Sequence, residues 1–445
     1  MRKINKIIIL LSIVFSSVFS FGQKLNNSPY TRYGLGEITE QTTASYFGMN
    51  SASVALAEFN HLNISNPASY GSLLKYKPLF DVGIYGKIQT LKTENSKSNQ
   101  NNFALRSFAL GMPIGTKTGV AFGLLPYSTV GYDINSYSLI EGDSVRYNYE
   151  GNGGINKVFL GVGREVINKG DSLKLSIGAN VSYLFGTIDN SRSVIYDNTT
   201  YYNSKVNDFK TFKGVNFDLG VQYSQKLSSK LKLQVGANYT LSNKLDVTKD
   251  FYAYNFKYSS FSVVETAKDT IEVNEGQKGK VTLPSGLKVG AALTFNKKLV
   301  LSLQYEQTSW NNYEEIYDGV DLTPTELNQS SKIAFGLSYT PTSMKDWSSK
   351  TRSIFQKSTY RFGLKTVNTN ITVNNTLIKD YGISFGISTP LLSSRSFSSI
   401  DLGVDLGKLG TTDNSLIEDN YFRVYLGFSL SPSNYDRWFR KRKYD

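Results

Sequence analysis

The stretch LKLSIGANVSYLF, residues 173–185, decides the fold of this chain. Its odd-numbered residues, from Leu173 to Phe185, are all apolar, and its even-numbered residues are polar or small except for Leu184. Successive side chains of a β-strand point to opposite faces, so a period of two predicts a strand with one apolar and one polar face. The stretch LKLQVGANYTL, residues 231–241, repeats the pattern almost residue for residue.

The same alternation recurs along most of the chain and predicts about fourteen strands. The predicted strand cores are 79–91, 103–113, 119–128, 156–166, 173–187, 212–226, 231–245, 281–295, 299–310, 331–340, 359–367, 380–390, 399–407 and 420–430. A soluble β-sandwich alternates as well, so the period alone does not choose between a soluble and a membrane protein.

Strand length and connection length favour a membrane barrel. The strands are about 10–12 residues long, which suits a tilted span of a bilayer, whereas strands of soluble sheets average about 5–6. The connections alternate between tight turns and long polar loops, the arrangement typical of outer-membrane barrels. The tight turns are 114–118, 167–172, 227–230 and 296–298, and the long loops are 92–102, 129–155, 188–211, 246–280 and 311–330. The sequence therefore predicts an all-β fold, a transmembrane antiparallel β-barrel of about fourteen strands.

Residues 1–23 have the pattern of a secretory signal peptide. Three basic residues, Arg2, Lys3 and Lys6, precede an apolar run that ends in small residues. We expect cleavage near Gln23, with Ser20 as an alternative, and the run is short for a membrane anchor. The implied location is the bacterial outer membrane, where the barrel contacts outer-membrane lipid and lipopolysaccharide.

Residues 24–77 precede the first strong strand and lack sustained alternation. A barrel of this strand number has a lumen wide enough to need a plug, and we expect this segment to be an N-terminal hatch inside it. The alternative is a disordered periplasmic arm, against which the aromatic residues and few charges of the segment argue. The barrel is expected over residues 78–430, followed by a basic periplasmic tail, residues 431–445.

The composition argues against an enzyme. The chain of 445 residues has no Cys and one His, so thiolate metal sites, a Cys nucleophile and most His-based catalysis are excluded. No nucleophile–base pair stands out, and we expect no catalytic residue, no metal and no cofactor. The formal charge is +13. Behind a signal peptide, anionic head groups or a periplasmic protein are the expected partners of this charge, and nucleic acid is not.

Four short motifs resemble a known family. SPYTRYGLG (28–36), NPASY (66–70), LLPYSTVGY (124–132) and RWFRKRKYD (437–445) resemble the FadL-type outer-membrane transporters for long-chain fatty acids and other hydrophobic compounds, and more narrowly the FadL-like barrels of Bacteroidetes. The resemblance implies an N-terminal hatch in the lumen and a lateral opening in the wall at a kinked third strand.

The third predicted strand contains Pro126, which has no N–H for the strand ladder. In a closed barrel Pro126 should break pairing locally, and the family places its side opening there; alternatively, Pro126 ends the strand at the outer rim. On these grounds we expect a substrate path formed by six residues, Asn66, Pro67, Ala68, Leu124, Pro126 and Tyr127.

These features lead to one functional hypothesis and one rival. The hypothesis is passive uptake of hydrophobic small molecules, similar to long-chain fatty acids, with lateral release through the barrel wall. Loops 129–155, 188–211 and 246–280 would capture the substrate through aromatic residues such as Tyr252, Tyr254 and Phe256. The rival is a FadL-like interaction barrel that serves type IX protein secretion or anchors proteins at the cell surface.

Overall fold

The computed structural model describes residues 26–140, 142–170, 172–258, 264–342, 353–391 and 398–432. These residues form a closed antiparallel β-barrel of fourteen strands, in which the last strand pairs with the first. Two of the fourteen are interrupted by two residues each, at 241–242 and 284–285. None of the helices in the described part of the chain is long and apolar enough to span a membrane.

The strands are numbered in chain order. The barrel consists of β2 (Leu79–Lys92), β3 (Lys97–Ile114), β4 (Thr118–Ile140), β5 (Asp143–Asn168), β6 (Leu173–Tyr196), β7 (Asn203–Lys226), β8 with β9 (Leu231–Thr240 and Asn243–Tyr258), β10 with β11 (Glu265–Leu283 and Gly286–Phe295), β12 (Leu299–Thr308), β15 (Ser330–Tyr339), β16 (Thr359–Val373), β17 (Thr376–Pro390), β18 (Ser399–Leu409) and β19 (Glu418–Leu430). Three short strands lie outside this set, β1 (Glu37–Ile38), β13 (Glu314–Tyr317) and β14 (Val320–Asp321).

The predicted barrel of fourteen strands is confirmed. The prediction of long loops is mostly wrong, because most of these segments form strands. Residues 129–155, 188–211 and 246–280 are largely strand, in three hairpins that extend β4 to β10 far beyond the length a bilayer needs. Above the bilayer both faces of a sheet contact water or polar neighbours. Polar and aromatic residues therefore occur on both faces, and the alternation of apolar and polar residues along the sequence is lost. We call this end of the barrel the long-hairpin end and the opposite end the short-turn end.

The described part of the N-terminal segment, residues 26–77, packs inside the barrel and is largely buried. It contains a single helical turn, Ala44–Phe47, and two 3₁₀ turns, Pro29–Arg32 and Pro67–Ser72. Hydrogen bonds tie it to the wall: the Gln222 side chain donates to the carbonyls of Val54 and Leu56 at 2.9 and 3.0 Å. We call residues 26–77 the plug.

Some predictions concern residues outside the described part of the chain. They are the signal peptide, residues 1–23, the motif 437–445, and the basic tail apart from Ser431 and Pro432. These remain predictions from the sequence.

Candidate functional site

The barrel wall is incompletely paired between β3 and β4. Their ladder runs only from the Ile114–Thr118 pair to the Phe108–Leu124 pair, although both strands continue well beyond it toward the long-hairpin end. On its other side β4 pairs with β5 up to Ile140, with a register shift between Pro126 and Ser128. The wall therefore has a gap between residues 97–107 of β3 and the part of β4 that follows Leu124.

Pro126 lies at the lower end of this gap and does not end its strand, which continues to Ile140. Proline cannot donate a ladder hydrogen bond, and the register shift with β5 begins at this residue. The alternative in which Pro126 merely terminates a strand at the rim is therefore excluded. Its role in a substrate path stays a prediction.

The plug contacts both edges of the gap. Its strand β1 pairs with Ser128 and Thr129 of β4. Next to this pairing, the Thr39 N–H donates to the Tyr127 carbonyl at 2.9 Å, and the Gln41 side chain donates to the Pro126 carbonyl at 3.1 Å. On the β3 side, Arg106 donates to the Glu40 carbonyl at 3.4 Å. Plug residues 37–41 thus bridge the two strands where the strands do not pair with each other.

A cavity of about 290 Å³ lies in the lumen beside this bridge. Ile38, Arg106 and Tyr127 contribute to its lining from the plug, from β3 and from β4, so the cavity reaches the gap. Trp310 and Ile371 add apolar surface from the opposite side of the barrel. The lining also includes charged side chains of the wall, among them Lys157, Asp218 and Lys288, so the cavity suits a small molecule with an apolar body and a polar group.

A layer of ion pairs crosses the lumen at the level of the cavity. Glu40 Oε1 lies 2.9 Å from Lys332 Nζ and 3.7 Å from Lys365 Nζ. Glu37 lies 3.8 Å from Lys87 and 3.9 Å from Arg423. The plug is therefore held against four strands of the wall by two of its own carboxylates.

The electrostatics keep both of these plug carboxylates ionised. Burial alone would raise the pKa of Glu37, but the charges of Lys87, Arg423 and Arg106 and the hydrogen bond from Asn26 together lower it to about 2. Burial likewise opposes ionisation of Glu40, and Lys332 and Lys365 hold its pKa well below the ordinary value. The bridge across the gap is thus anchored by fixed negative charges at neutral pH.

An apolar cluster lies above the ion-pair layer, toward the long-hairpin end. Plug residues Tyr30 and Leu35 are buried there against side chains from the surrounding strands, including Phe212 and Tyr317. From the long-hairpin end inward, the interior of the barrel therefore has an apolar layer first and a charged layer next.

The structure separates the predicted path residues into two groups. Pro126 and Tyr127 lie at the gap, and Leu124 is 39% exposed on the outer surface. Asn66, Pro67 and Ala68 are buried in the plug and do not line the cavity, although the preceding residues Ile64 and Ser65 do. Asn66 donates to the carbonyls of Val221 and Ala237 in the wall at 3.2 and 3.1 Å, which gives this residue a structural anchor.

The three predicted capture residues lie on β9, in the hairpin that β9 forms with β10, and none of them is among the residues that line the cavity. Phe256 is fully buried, so it offers no apolar surface to a ligand from outside. Tyr252 and Tyr254 are half-buried and donate to Glu275 and Glu265, at 2.9 and 3.3 Å. Capture at this place remains a prediction.

Sequence reasoning missed Glu37, Glu40 and Arg106. A usable signal was present, because residues 24–77 contain only three acidic residues, Glu37, Glu40 and Glu58. All three lie within ion-pair distance of a basic residue of the wall. In the described part of the chain, no group of three or more His, Cys, Asp or Glu residues is arranged to hold a metal ion.

Several solved structures have the same fold. The Pseudomonas putida toluene transporter TodX superposes with a TM-score of 0.54 and 14% identity, over 88% of this chain and 98% of that one. A Pseudomonas aeruginosa FadL homologue gives 0.53 and 10%, over 89% and 99%. The CymD monoaromatic hydrocarbon channel gives 0.52 and 13%, over 90% and 99%. At such identities the likeness shows the fold, that of FadL-type outer-membrane barrels.

Comparison of the amino-acid sequence with known proteins and families identifies one family. No curated protein matches the chain significantly. One family model, described as BamG, matches residues 3–445, which is nearly the whole sequence, and the chain therefore belongs to the BamG family.

Proposed function

We propose that this chain is an outer-membrane barrel that admits a hydrophobic small molecule into its lumen and releases it sideways through the wall between β3 and β4. One observation carries the proposal: the lumen cavity is lined by Ile38, Arg106 and Tyr127, next to the place where the pairing of β3 with β4 ends. Short turns of such barrels face the periplasm, so entry is from the long-hairpin end.

The plug favours a lateral exit over passage along the barrel axis. Below the cavity, the Val54 N–H donates to Gln304 at 2.8 Å and Ser302 donates to the Ala52 carbonyl at 2.6 Å. On the neighbouring wall, Asn50 N–H donates to Ser384 at 3.0 Å. A route to the short-turn end would have to break these buried bonds, each of net value about 1 kcal/mol. The route through the gap has to displace one short segment, the bridge of residues 37–41, with its hydrogen bonds and the ion pairs of Glu37 and Glu40, whereas the axial route has to displace the larger remainder of the plug.

The expected substrate is apolar with a small polar group, in the manner of a long-chain fatty acid. Release into the bilayer then needs no energy source, because each buried CH₂ contributes about 0.8 kcal/mol. The similarity to a toluene transporter and to a monoaromatic hydrocarbon channel supports an apolar substrate class for this chain as well. The half-buried Arg106 beside the gap is a suitable partner for the polar group.

A disulfide tests whether the bridge must move. Ile38 and Ser128 are direct partners in the β1–β4 pair, at a non-hydrogen-bonded position where the backbones come closest. Because the chain has no Cys, Ile38→Cys with Ser128→Cys introduces a single possible bond. Oxidation should reduce uptake of labelled oleate and toluene by cells at least fivefold, and reduction should restore it.

The matched control joins two strands that do not need to part. Ile333→Cys with Thr366→Cys links partners in β15 and β16 that do not line the cavity, and its oxidation should leave uptake unchanged. If the oxidised Ile38–Ser128 variant transports as well as the reduced form, lateral release through this gap is wrong. If neither probe enters faster with the wild-type barrel than without it, uptake itself is wrong.

One observation favours the rival, an interaction barrel. Above the bilayer, β4 to β7 with β9 and β10 form a sheet whose edge strand β4 exposes Tyr137 and Leu139, at 69% and 75%. Large exposed apolar side chains at an unpaired edge are typical of protein docking sites. Mass spectrometry of the gently extracted barrel, with Tyr137→Ser and Leu139→Ser as the control variant, separates the two functions. A protein lost only from the variant, with no bound apolar ligand, would favour the rival.

A further inference from the structure

Two buried carboxyl groups of the barrel wall lie on either side of β19, near the short-turn end. They belong to Asp81 of β2 and Asp401 of β18, which are 1% and 0% exposed. Ser429 of β19 lies between them, since its Oγ is 2.9 Å from Asp81 Oδ2 and 3.0 Å from Asp401 Oδ2. One hydroxyl group thus joins two carboxyl groups in a place closed to solvent.

No basic side chain in the described ranges neutralises this pair, because no Lys, Arg or His nitrogen there lies within 4.0 Å of either carboxyl group. Asp405, on the same face of β18 as Asp401, shows the contrast, at 3.6 Å from Lys365 and 3.1 Å from Arg423. Two buried neighbouring carboxyl groups without a counter-charge do not both stay ionised, because the cost of burying a charge exceeds what one hydroxyl contact contributes.

The hydrogen-bond geometry assigns a proton to Asp81. The Ser429 hydroxyl has one hydrogen and cannot donate to both carboxyl groups. Asp401 Oδ2 has a second donor, Ser399 Oγ at 3.1 Å. The other contact of Asp81 is longer, 3.5 Å from Ser107 Oγ. If Asp81 is protonated, it donates to Ser429, and Ser429 donates to Asp401. If both carboxyl groups are ionised, one contact of Ser429 joins two acceptors.

The pair lies directly behind the plug. Ser107 also accepts from Tyr425 Oη, at 2.7 Å. Tyr425 packs edge-on against Phe47 of the plug, with ring centroids 5.4 Å apart, and its Oη is 3.4 Å from the carbonyl oxygen of Thr42. The contacts that start at Asp81 therefore reach the helical turn of the plug.

The other charged groups near the pair do not supply its counter-charge. Besides Asp405, the titratable or charged side chains around it are Tyr46, Glu58, His61, Arg106, Arg361 and Tyr425. Arg361 lies 3.6 Å from Glu58, which already offsets its charge. Burial raises the pKa of Tyr46 and lowers the pKa of His61, so both plug side chains are uncharged at neutral pH.

We propose that Asp81 and Asp401 share one proton at neutral pH, that Asp81 carries it, and that this proton keeps the plug seated against the wall. A proton that the folded barrel holds and the unfolded chain releases stabilises the fold until the pH at which it leaves, so a rise in pH weakens the seat. Its loss puts two negative charges side by side, and the contacts of Tyr425 with the plug then loosen and admit water. This device does not depend on what the barrel transports.

Infrared spectroscopy of the full chain in liposomes tests the shared proton. At pH 7 the wild type should show the C=O band of a protonated carboxyl group, and Asp81→Asn should lose it. Glu165→Gln is the matched control, because Glu165 is a buried wall carboxylate near the same end of the barrel but lies 2.9 Å from Lys174. An ionised Glu165 does not contribute to the band, so this variant should keep it in full.

Planar-bilayer recording tests what the proton does. The conductance of the wild type should rise at least threefold between pH 6 and pH 9. Asp81→Asn should keep the low conductance throughout, because its amide donates to Ser429 as the protonated carboxyl group does and cannot ionise. Glu165→Gln should respond to pH as the wild type does.

Four results would overturn the proposal. They are a wild type without the protonated-carboxyl band at pH 7, an unchanged band in Asp81→Asn, an equal loss of the band in Glu165→Gln, and the same pH response of conductance in Asp81→Asn and the wild type. The first result needs no variant. Retained heat-modifiable migration on gels checks that each variant is folded.

Discussion

Gly178 occupies a position in the barrel wall where a side chain would collide with the plug. A Cβ there would lie 2.4 Å from the carbonyl carbon of Pro67 and 2.5 Å from the amide nitrogen of Ala68. Both atoms belong to backbone, which cannot rotate away as a side chain can. Gly178→Ala should therefore lower the free energy of unfolding by about 1–3 kcal/mol.

Thermal unfolding followed by circular dichroism measures this effect. Gly286→Ala is the matched control, because its new Cβ would meet nothing closer than Thr308 Oγ1 at 3.4 Å, an ordinary contact. A control variant as unstable as Gly178→Ala would show that loss of strand glycine, and not contact with the plug, is responsible.

Because of Glu37, the stability that the plug gains from its ion pairs with the wall depends on pH. Its pKa falls from an ordinary 4.5 to about 2, because the charges of Lys87, Arg423 and Arg106 and the hydrogen bond from Asn26 together outweigh the cost of burial. A carboxylate with a depressed pKa stabilises the folded state fully above its unfolded pKa and loses that effect as pH falls through its folded pKa. The stabilisation should be complete above about pH 4.5 and vanish near pH 2.

The measurement compares melting temperatures of the wild type and Glu37→Gln between pH 7 and pH 2. The wild type should melt higher at neutral pH, and the two curves should converge as pH falls below 4.5. A constant difference down to pH 2 would mean that the substitution acts through the hydrogen bond from Asn26 and not through charge.

Among the elements, β4 differs from the other long strands because one of its edges is largely unpaired. Beyond Leu124 it pairs with β5 on one side, but on the other side only with the two residues of β1. Backbone amides that lack a ladder partner exchange with solvent by small local openings. The plug still covers the edge at Gly131, whose N–H donates to Thr31 Oγ1 at 3.1 Å. We expect amides of residues 133–140 on this edge to exchange at least tenfold faster than those of β16.

Hydrogen exchange with site resolution tests this expectation. The amides of β4 that point toward β5 are an internal control, since they are paired and should exchange slowly. Uniform protection of both sets would mean that β3 closes against β4 in solution. The proposed lateral exit would then be shut in the resting state.

The elements also show what could be predicted from the sequence. The strand cores were predictable because lipid on one side and the plug on the other impose strict alternation, as in residues 173–185. The extended hairpins were not, since solvent on both faces removes that constraint. The bridge of residues 37–41 was not predictable either, because Glu37 and Lys87 are 50 residues apart and only closure of the barrel brings them together.

At the scale of the whole molecule, the plug decides whether the barrel is a pore. Fourteen strands with a spacing of about 4.8 Å and a tilt near 40° give a backbone radius of roughly 14 Å, wide enough for ions once the interior is emptied. Deletion of residues 29–73 removes the plug, and water can then solvate the wall residues it paired with, such as Lys332 and Arg361. The emptied barrel should remain folded and conduct ions.

Planar-bilayer recording tests this last prediction. The plug deletion should raise single-channel conductance at least tenfold over the intact chain. A control that replaces residues 134–149, the outer part of the β4–β5 hairpin, with a two-residue Asn-Gly turn should not raise it, because that hairpin lies outside the lumen. If the intact chain already conducts like the deletion variant, the plug does not seal the barrel, and the reason for preferring a lateral exit over the axial route disappears.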